Sequence, residues 1–277
     1  MKPELIYGLD EAVYHADTTS LSASSAKTLL GKRPPAPSDA LRHGTLVHTI
    51  ILEPDRLNRY KVLDAHAIAG NNPKTGKPYD APTMTGKFKA AVADAAEQGL
   101  TVVAQDEWDA AHAEAQAVMD HPTAGRLLAA ATDVEVSAYA DHPTGARVRA
   151  RFDLIGPGFI ADIKTTRDAN PDDYGRTVHQ LLYHVSAANY LDIANANGLD
   201  VTAFAFINVE KEPTPGGKYR VSVIELAERA IDKGRELMHE ACERWVANGH
   251  VVDLPDYGDE YHVVDLPEYA YRPKETA

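Results

Sequence analysis

The sequence predicts a mixed α/β domain, and three observations lead to this fold class. Helical spacing of apolar residues dominates as far as about residue 131. From Val134 to Thr166 the pattern changes to alternation, interrupted by turns that contain glycine and proline, which predicts a three-stranded antiparallel meander. A helix, two more strands and a final helix follow. Strands placed between helices are typical of a sheet covered by helices.

Length and composition favour a single domain. The chain has 277 residues, 41 acidic against 28 basic, and a net charge of -13. We expect one domain over residues 1–252 and an acidic, extended tail over residues 253–277. The excess of acidic residues makes nucleic-acid binding less expected but does not exclude a local phosphate-binding groove.

The single cysteine and the hydropathy exclude several classes. Cys242 alone excludes an internal disulfide framework, a cysteine-based zinc module and a four-cysteine iron–sulfur cluster within one chain. No stretch of about 18 apolar residues and no apolar leader occurs, so we expect a cytoplasmic protein without a membrane segment. Residues 70–77 depart from the P-loop pattern in spacing and lack the following Ser or Thr, which argues against ATP use.

The individual elements follow in chain order from caps, periodicity and turns. Ser22 to Ser25 predicts the start of a short helix, and the polar stretch from Gly70 to Pro82 predicts a long loop that carries Lys74 and Lys77. Helices are predicted over residues 22–30, 39–53, 85–98, 106–119, 172–197 and 227–248, and strands beyond the meander over residues 201–209 and 218–225.

Two acids and a lysine are expected to meet at one end of the meander. Asp153 ends one strand, and Asp162 and Lys164 lie on the next, beyond a tight turn of glycine and proline. Side chains alternate along a strand, so Asp162 and Lys164 share a face while Ile163 points to the core. Two carboxylates can hold a hard divalent ion, and the lysine can orient or deprotonate a water. Taken alone, such a triplet is more often a surface ion pair across a hairpin, because triplets of this kind are common.

The wider context resembles the PD-(D/E)-x-K nuclease signature, with Phe152 in place of its proline. Upstream, Gly44 and His48 stand one helical turn apart, as in nucleases similar to the RecB nuclease domain. Downstream, Gln180 and Tyr183 resemble that group's Q-x-x-x-Y element with one residue fewer, which leaves open whether Tyr183 or His184 takes the tyrosine's role. Over nearly its whole length the chain resembles the RecE-like, or exonuclease VIII-like, branch of this superfamily. The matching segments are Tyr14-His15 and residues 21–25, 43–54, 119–122, 134–137, 151–153, 162–166 and 206–213.

The resemblance implies a PD-(D/E)xK restriction-endonuclease-like core, a central mixed β-sheet flanked by helices, and a two-metal site. His48, Asp153 and Asp162, with the Ile163 carbonyl, would ligate Mg²⁺ or Mn²⁺. Lys164 would handle the attacking water, and Gln180 would hold the substrate or the active-site strand. Glu135 matches an acid of the preceding strand and could reach the second ion.

The residues that contact DNA are predicted with less support than the metal ligands. Arg149 and Arg151 alternate with Asp153 on its strand, so each could grip a phosphate; the alternative is that they neutralise the carboxylates. Tyr183 is the further candidate for DNA contact.

The resemblance implies an ATP-independent 5'-3' exonuclease on linear duplex DNA, releasing 5' mononucleotides and leaving 3' single-stranded tails for recombination. It also implies a homo-oligomeric ring and a single-strand annealing protein as partner, in a bacterial or phage-infected cell. Two alternatives stay open: a related nuclease on single strands, flaps or internal sites, and a non-catalytic DNA-end-binding module.

Overall fold

The structure is a computed structural model that describes residues 3–267 and 271. Its strands are β1 (Glu4–Ile6), β2 (Leu21–Ser22), β3 (Tyr60–Leu63), β4 (Thr101–Ala104), β5 (Asp133–Asp141), β6 (Arg147–Gly156), β7 (Phe159–Thr166), β8 (Ala203–Glu210) and β9 (Val221–Glu225). Its helices are α1 (Glu11–Ala16), α2 (Ala23–Leu29), α3 (Asp39–Leu52), α4 (Ala65–Ala69), α5 (Gly86–Glu97), α6 (Gln105–Asp120), α7 (Pro122–Ala130), α8 (Tyr174–Gln180), α9 (Tyr183–Ala196) and α10 (Glu228–Ala247), with short 3-10 helices at Pro54–Arg59 and Pro82–Met84.

The main sheet is mixed, as predicted. Its strand order is β1-β5-β6-β7-β8-β9, and β2 adds a short parallel pairing to β6. The predicted meander is confirmed, since β5, β6 and β7 pair antiparallel in sequence order, and β8 then runs parallel to β7. A separate pair of short parallel strands, β3 and β4, was not predicted, because four residues are too few to establish a period.

Side-chain caps explain why several helices begin where the sequence places them. Ser22, Ser38 and Thr85 each accept a backbone N–H from three residues ahead, at the first turns of α2, α3 and α5. Each bond satisfies a donor that the first helical turn leaves without a partner. The predicted starts of these helices are therefore confirmed to within a residue.

The helix predicted over residues 172–197 is wrong as a single element. It is broken between α8 and α9, where Leu182 adopts a left-handed φ of 51°. A branched residue in this region is strained and carries no sequence signal such as glycine or proline. The break turns α9 relative to α8, so residues on either side no longer share one helical face.

Helices cover both faces of the sheet. One core lies between the sheet and α2, α9 and α10, and contains Phe152, Phe204, Phe206 and Trp245; the other lies under α3, α6 and α7. The packing of α10 on α9 depends on Gly234, because a Cβ there would lie 2.1 Å from the carbonyl oxygen of His184. None of the helices in the described part of the chain combines the length and apolar character that a membrane span requires.

Candidate metal and nuclease site

The site lies at the end of the meander, where β6 and β7 separate. The paired register stops at Leu154 and Ala161, although Asp153 and Asp162 come next on the two strands. The opening forms a cleft of about 720 Å³ between the sheet and helices α2, α3 and α9. Its walls include Lys27, His48, Glu135, Arg151, Asp153, Asp162, Lys164, Tyr183 and Lys211.

Asp153 holds the two strands and the α3 helix together. Its Oδ2 accepts the backbone N–H of Ile163 at 2.8 Å and lies 3.4 Å from Nδ1 of His48. The other ring nitrogen of His48 lies 2.8 Å from the carbonyl oxygen of Ile163. The predicted set of His48, Asp153 and the Ile163 carbonyl is therefore brought to one point, and the Ile163 side chain is buried as alternation requires.

Gly44 allows the helix that carries His48 to approach the sheet. A Cβ at position 44 would lie 3.2 Å from Oγ1 of Thr165 on β7, closer than most real contacts of that kind. A larger residue would push α3 away from the strand. The spacing of glycine and histidine one turn apart thus has a physical reason. Gly44 sets the distance between α3 and β7, and at that distance the ring of His48 reaches Asp153.

Glu135 joins this cluster from β5 through an unusual backbone conformation. Its φ is 53°, a left-handed value that costs a non-glycine residue about 1 kcal/mol. Single ligand atoms of His48, Glu135 and Asp153 lie within 4.8 Å of one another. Asp162 instead forms an ion pair with Lys164, as neighbours on the same face of β7 can.

The donor set suits a divalent cation. Carboxylate and carbonyl oxygens are preferred by Mg²⁺, and an added imidazole also suits Mn²⁺ and other transition metals. Burial, and then repulsion from Asp162, raises the pKa of Asp153 to about 8. Burial and the charge of Asp153 likewise raise the pKa of Glu135, and burial lowers that of His48. Crowded carboxylates of this kind are stabilised by a bound cation.

Lys164 carries a strongly held proton. Burial alone would lower its pKa, but attraction by Asp162 and Asp153 outweighs that effect and raises it. The ammonium group is therefore a hydrogen-bond donor and a positive charge at the site.

Lys27 is a site residue that sequence reasoning missed. Its Nζ lies 5.1 Å from the ring centroid of Tyr183, and Nζ of Lys164 lies 5.7 Å from the same centroid. Burial, and then the neighbouring charge of Lys164, lowers the pKa of Lys27 to about 7. The capped helix at Ser22 was visible in the sequence, but nothing in it indicated that α2 would place this amine opposite Lys164.

The two arginines on β6 have internal partners. Arg151 donates to Oε2 of Glu135 at 2.5 Å, to the Leu9 carbonyl at 2.9 Å and to Oγ of Ser137 at 3.2 Å. Arg149 is buried, and it is paired with Asp17 and bonded to the Ser20 carbonyl. The hydrogen bonds of both side chains in the structure are internal, and their contact with phosphate stays a prediction. The alternative, that they neutralise acids, fits Arg151 on Glu135, whereas Arg149 anchors the segment before α2.

Of the three candidates that follow the strands, Gln180, Tyr183 and His184, one lines the cleft. Tyr183 lines the cleft, whereas Gln180 is exposed at the end of α8 and is not among the residues that line it. His184 is buried, with Nδ1 3.3 Å from the Val178 carbonyl, and is likewise outside that lining. Gln180 and Tyr183 stand on different helices because of the break at Leu182. Between the two open possibilities, the geometry favours Tyr183 over His184.

These residues define a domain of the PD-(D/E)xK type. They are the histidine on α3, the acids on β5, β6 and β7, and the lysine two residues after the acid on β7. A family model for a PDDEXK-like domain of unknown function (DUF3799) matches residues 18–265, so the chain belongs to this family. No curated protein sequence matches the chain.

The chain is similar to three solved structures of exonucleases, to different extents. A candidate exonuclease of Eubacterium rectale has a TM-score of 0.58 at 16% identity, covering 95% of this chain and 96% of that one. A phage-related exonuclease of Haemophilus somnus has a TM-score of 0.32 at 15% identity, covering 68% and 95%. The alkaline exonuclease of Laribacter hongkongensis has a TM-score of 0.27 at 14% identity, covering 73% and 92%. The first of these structures shares the fold of this chain.

Proposed function

We propose that the protein is a divalent-metal-dependent nuclease that hydrolyses phosphodiester bonds of DNA in the cleft between α2, α3 and α9. The observation that carries this proposal is the meeting of His48, Glu135 and Asp153 within 4.8 Å, beside the Asp162–Lys164 pair. Hydrolysis needs a metal-binding donor set next to a proton-bearing cation, in a cleft open to a polymer.

Each residue has a role that follows from its position. His48, Glu135, Asp153 and Asp162, with the Ile163 carbonyl, would hold one or two Mg²⁺ or Mn²⁺ ions, which activate water and stabilise the leaving oxygen when bound. Lys164 donates to the attacking water and offsets the charge that develops on the phosphate oxygens. The attacking water loses one proton to solvent as its oxygen bonds to phosphorus, the bond from phosphorus to the 3' oxygen breaks, and the leaving oxygen takes a proton from solvent.

Lys27 and Tyr183 extend the site along the cleft wall. An amine and an aromatic ring side by side can contact a phosphate and a base of one nucleotide. Lys211 also lines the cleft and adds positive charge for the strand. The lining of the cleft has five basic and five acidic side chains, so this site is close to neutral in a chain whose net charge is -13. Bound divalent ions would make it positive and attractive to phosphate.

The finer activity follows from the resemblance to the RecE-like group. We infer an ATP-independent 5'-3' exonuclease on linear duplex DNA that releases 5' mononucleotides and leaves 3' tails. A homo-oligomeric ring, a single-strand annealing partner, recombination by strand annealing and a cytoplasmic location belong to the same proposal.

The test is digestion of a linear duplex labelled at its 5' or 3' end, without ATP, in Mg²⁺, Mn²⁺ or EDTA. The parent is compared with Asp162→Asn and Lys164→Met, and with two surface controls, Asp232→Asn and Lys61→Met. We expect metal-dependent release of mononucleotides from the 5' end, lost in the two site variants and kept in the controls.

Other outcomes would replace the proposal. Nicking of circles or cleavage of flaps without release from ends would identify an endonuclease or flap nuclease. DNA binding without cleavage in either metal would identify a non-catalytic DNA-end-binding module. Equal activity in Lys164→Met and the parent would remove Lys164 from the chemistry.

A further inference from the structure

The C-terminal tail contains a tandem repeat. Residues 251–257 read VVDLPDY and residues 263–269 read VVDLPEY, so six of seven positions are identical and the seventh keeps an acid. Residues 251–267 form no helix or strand, and residues 268–270 lie outside the described part of the chain. Packing in a core does not explain why the same side chains recur, since most of this segment is exposed. Repetition in such a segment indicates recognition by a surface.

The two copies differ in their contacts. In the first copy, Leu254 is partly buried, and the exposed Pro255 passes beside Gly31, with its Cγ 3.8 Å from the position that a Cβ on Gly31 would take. In the second copy, the equivalent Leu266 is 62% exposed, and Pro267 is also exposed. The leucine is therefore partly covered by the body of the protein in the first copy and faces solvent in the second.

The surface under the first copy has the complementary chemistry. Gly31 follows α2 and is itself followed by two exposed cations, Lys32 and Arg33. Each copy carries an acid on both sides of its leucine and proline, at Asp253 and Asp256 in the first. Opposite charges around a small apolar contact favour one orientation of the bound segment and make binding dependent on salt.

We propose that the second copy docks on the Gly31 surface of another copy of this chain, and that the first copy covers that surface in its own chain. Identical side chains recognise the same surface, and the surface that receives the first copy is on this chain. The copies begin 12 residues apart, so the second reaches up to about 40 Å from the first. The first copy follows α10 closely and so competes at a high local concentration.

Opposite effects of the same substitution in the two copies follow from this competition. Leu254→Asp frees the surface for a neighbour and strengthens self-association, on the order of 10-fold if the first copy covers the surface about nine-tenths of the time. Leu266→Asp removes the docking segment and weakens self-association. Tyr261→Asp, in the spacer at a residue that is 92% exposed, is the matched control and changes nothing.

The experiment is sedimentation velocity of the full-length chain over a concentration series at low and high salt, with each variant and the Leu254→Asp/Leu266→Asp double variant. We expect stronger association in Leu254→Asp, weaker association in Leu266→Asp and in the double variant, and a loss of these differences at high salt. Equal association of all variants would overturn the proposal and leave the tail as a segment for a different partner or for solvent. Changes of the same sign in both single variants would overturn the competition between copies.

Discussion

Replacement of Arg151 by methionine tests whether this arginine positions an acid or contacts DNA. In the structure its guanidinium donates to Glu135 at 2.5 Å, to the Leu9 carbonyl at 2.9 Å and to Ser137 at 3.2 Å. Methionine keeps most of the aliphatic stem and removes all three bonds. Loss of one charge-assisted and two weaker bonds around a largely buried carboxylate corresponds to about 2–4 kcal/mol in the free energy of unfolding near pH 8.

The pH dependence of that loss has a definite sign. Burial and Asp153 already raise the pKa of Glu135 in the folded protein, and Arg151 opposes this rise. Without Arg151 the pKa rises further, so ionised Glu135 destabilises the variant at high pH. At pH 5 Glu135 binds a proton more readily, and the loss relative to the parent shrinks to about 1–2 kcal/mol.

The assay is urea unfolding of the parent and Arg151→Met in EDTA at both pH values, followed by DNA binding over a salt series. Arg220→Met is the control, because Arg220 bonds Glu210 at 2.6 Å in similar geometry but is 57% exposed. We expect a smaller loss of stability in the control. If Arg151→Met is as stable as Arg220→Met, and its salt slope for DNA binding falls by about 1, Arg151 contacts phosphate and the positioning role is wrong.

Three further outcomes are expected. In metal-free protein the contribution of Asp153 to the free energy of unfolding falls as pH rises from 3.8 to about 8, because folding raises the pKa of its carboxyl group. The parent therefore loses stability relative to Asp153→Asn over that range, and a difference between the two proteins that grew in favour of the parent would contradict this. Gly44→Val displaces α3 and so weakens the binding of Mn²⁺, measured by calorimetry. Adding Thr165→Gly to this variant restores part of the affinity for Mn²⁺. Equal affinity in the parent and both variants would show that Gly44 does not set the distance between α3 and β7. Gly234→Ala lowers the free energy of unfolding by about 3 kcal/mol or more, since α9 must move to make room for the added Cβ. Gly175→Ala is the control, because a Cβ at that position has no atom within 4 Å, and it leaves the stability unchanged. Similar melting temperatures of the two variants by circular dichroism would contradict the prediction.

The parts of the site that were predictable are those fixed by local geometry. Asp153, Asp162 and Lys164 lie on consecutive strands joined by a two-residue turn, so alternation and pairing bring them together before any tertiary contact is considered. Glu135 came from the resemblance, and its left-handed φ of 53° is not a conformation that strand alternation predicts. His48 came from the resemblance, since a histidine among apolar residues on a helix has no such geometric signal.

The parts that were not predictable depend on where distant segments pass. The path of residues 4–22 along β5 and β6 gives Arg149 and Arg151 internal partners, and no local pattern indicated those pairings. Lys27 reaches the cleft because α2 packs beside α9, which only the assembled fold determines. The break at Leu182 depends on a strained residue whose side chain would suit an unbroken helix.

Unfavourable features are concentrated at one place in this molecule, and that concentration supports a functional site there. Glu135 has a left-handed backbone, Asp153 is a buried carboxyl group whose pKa is raised to about 8, and both lie within 4.8 Å of a His48 nitrogen. Each feature lowers the stability of the metal-free fold, and Arg151 offsets part of the charge of Glu135 and, more weakly, of Asp153. Because strain and crowded acids persist where they serve binding or catalysis, this edge of the sheet is where activity should be sought first.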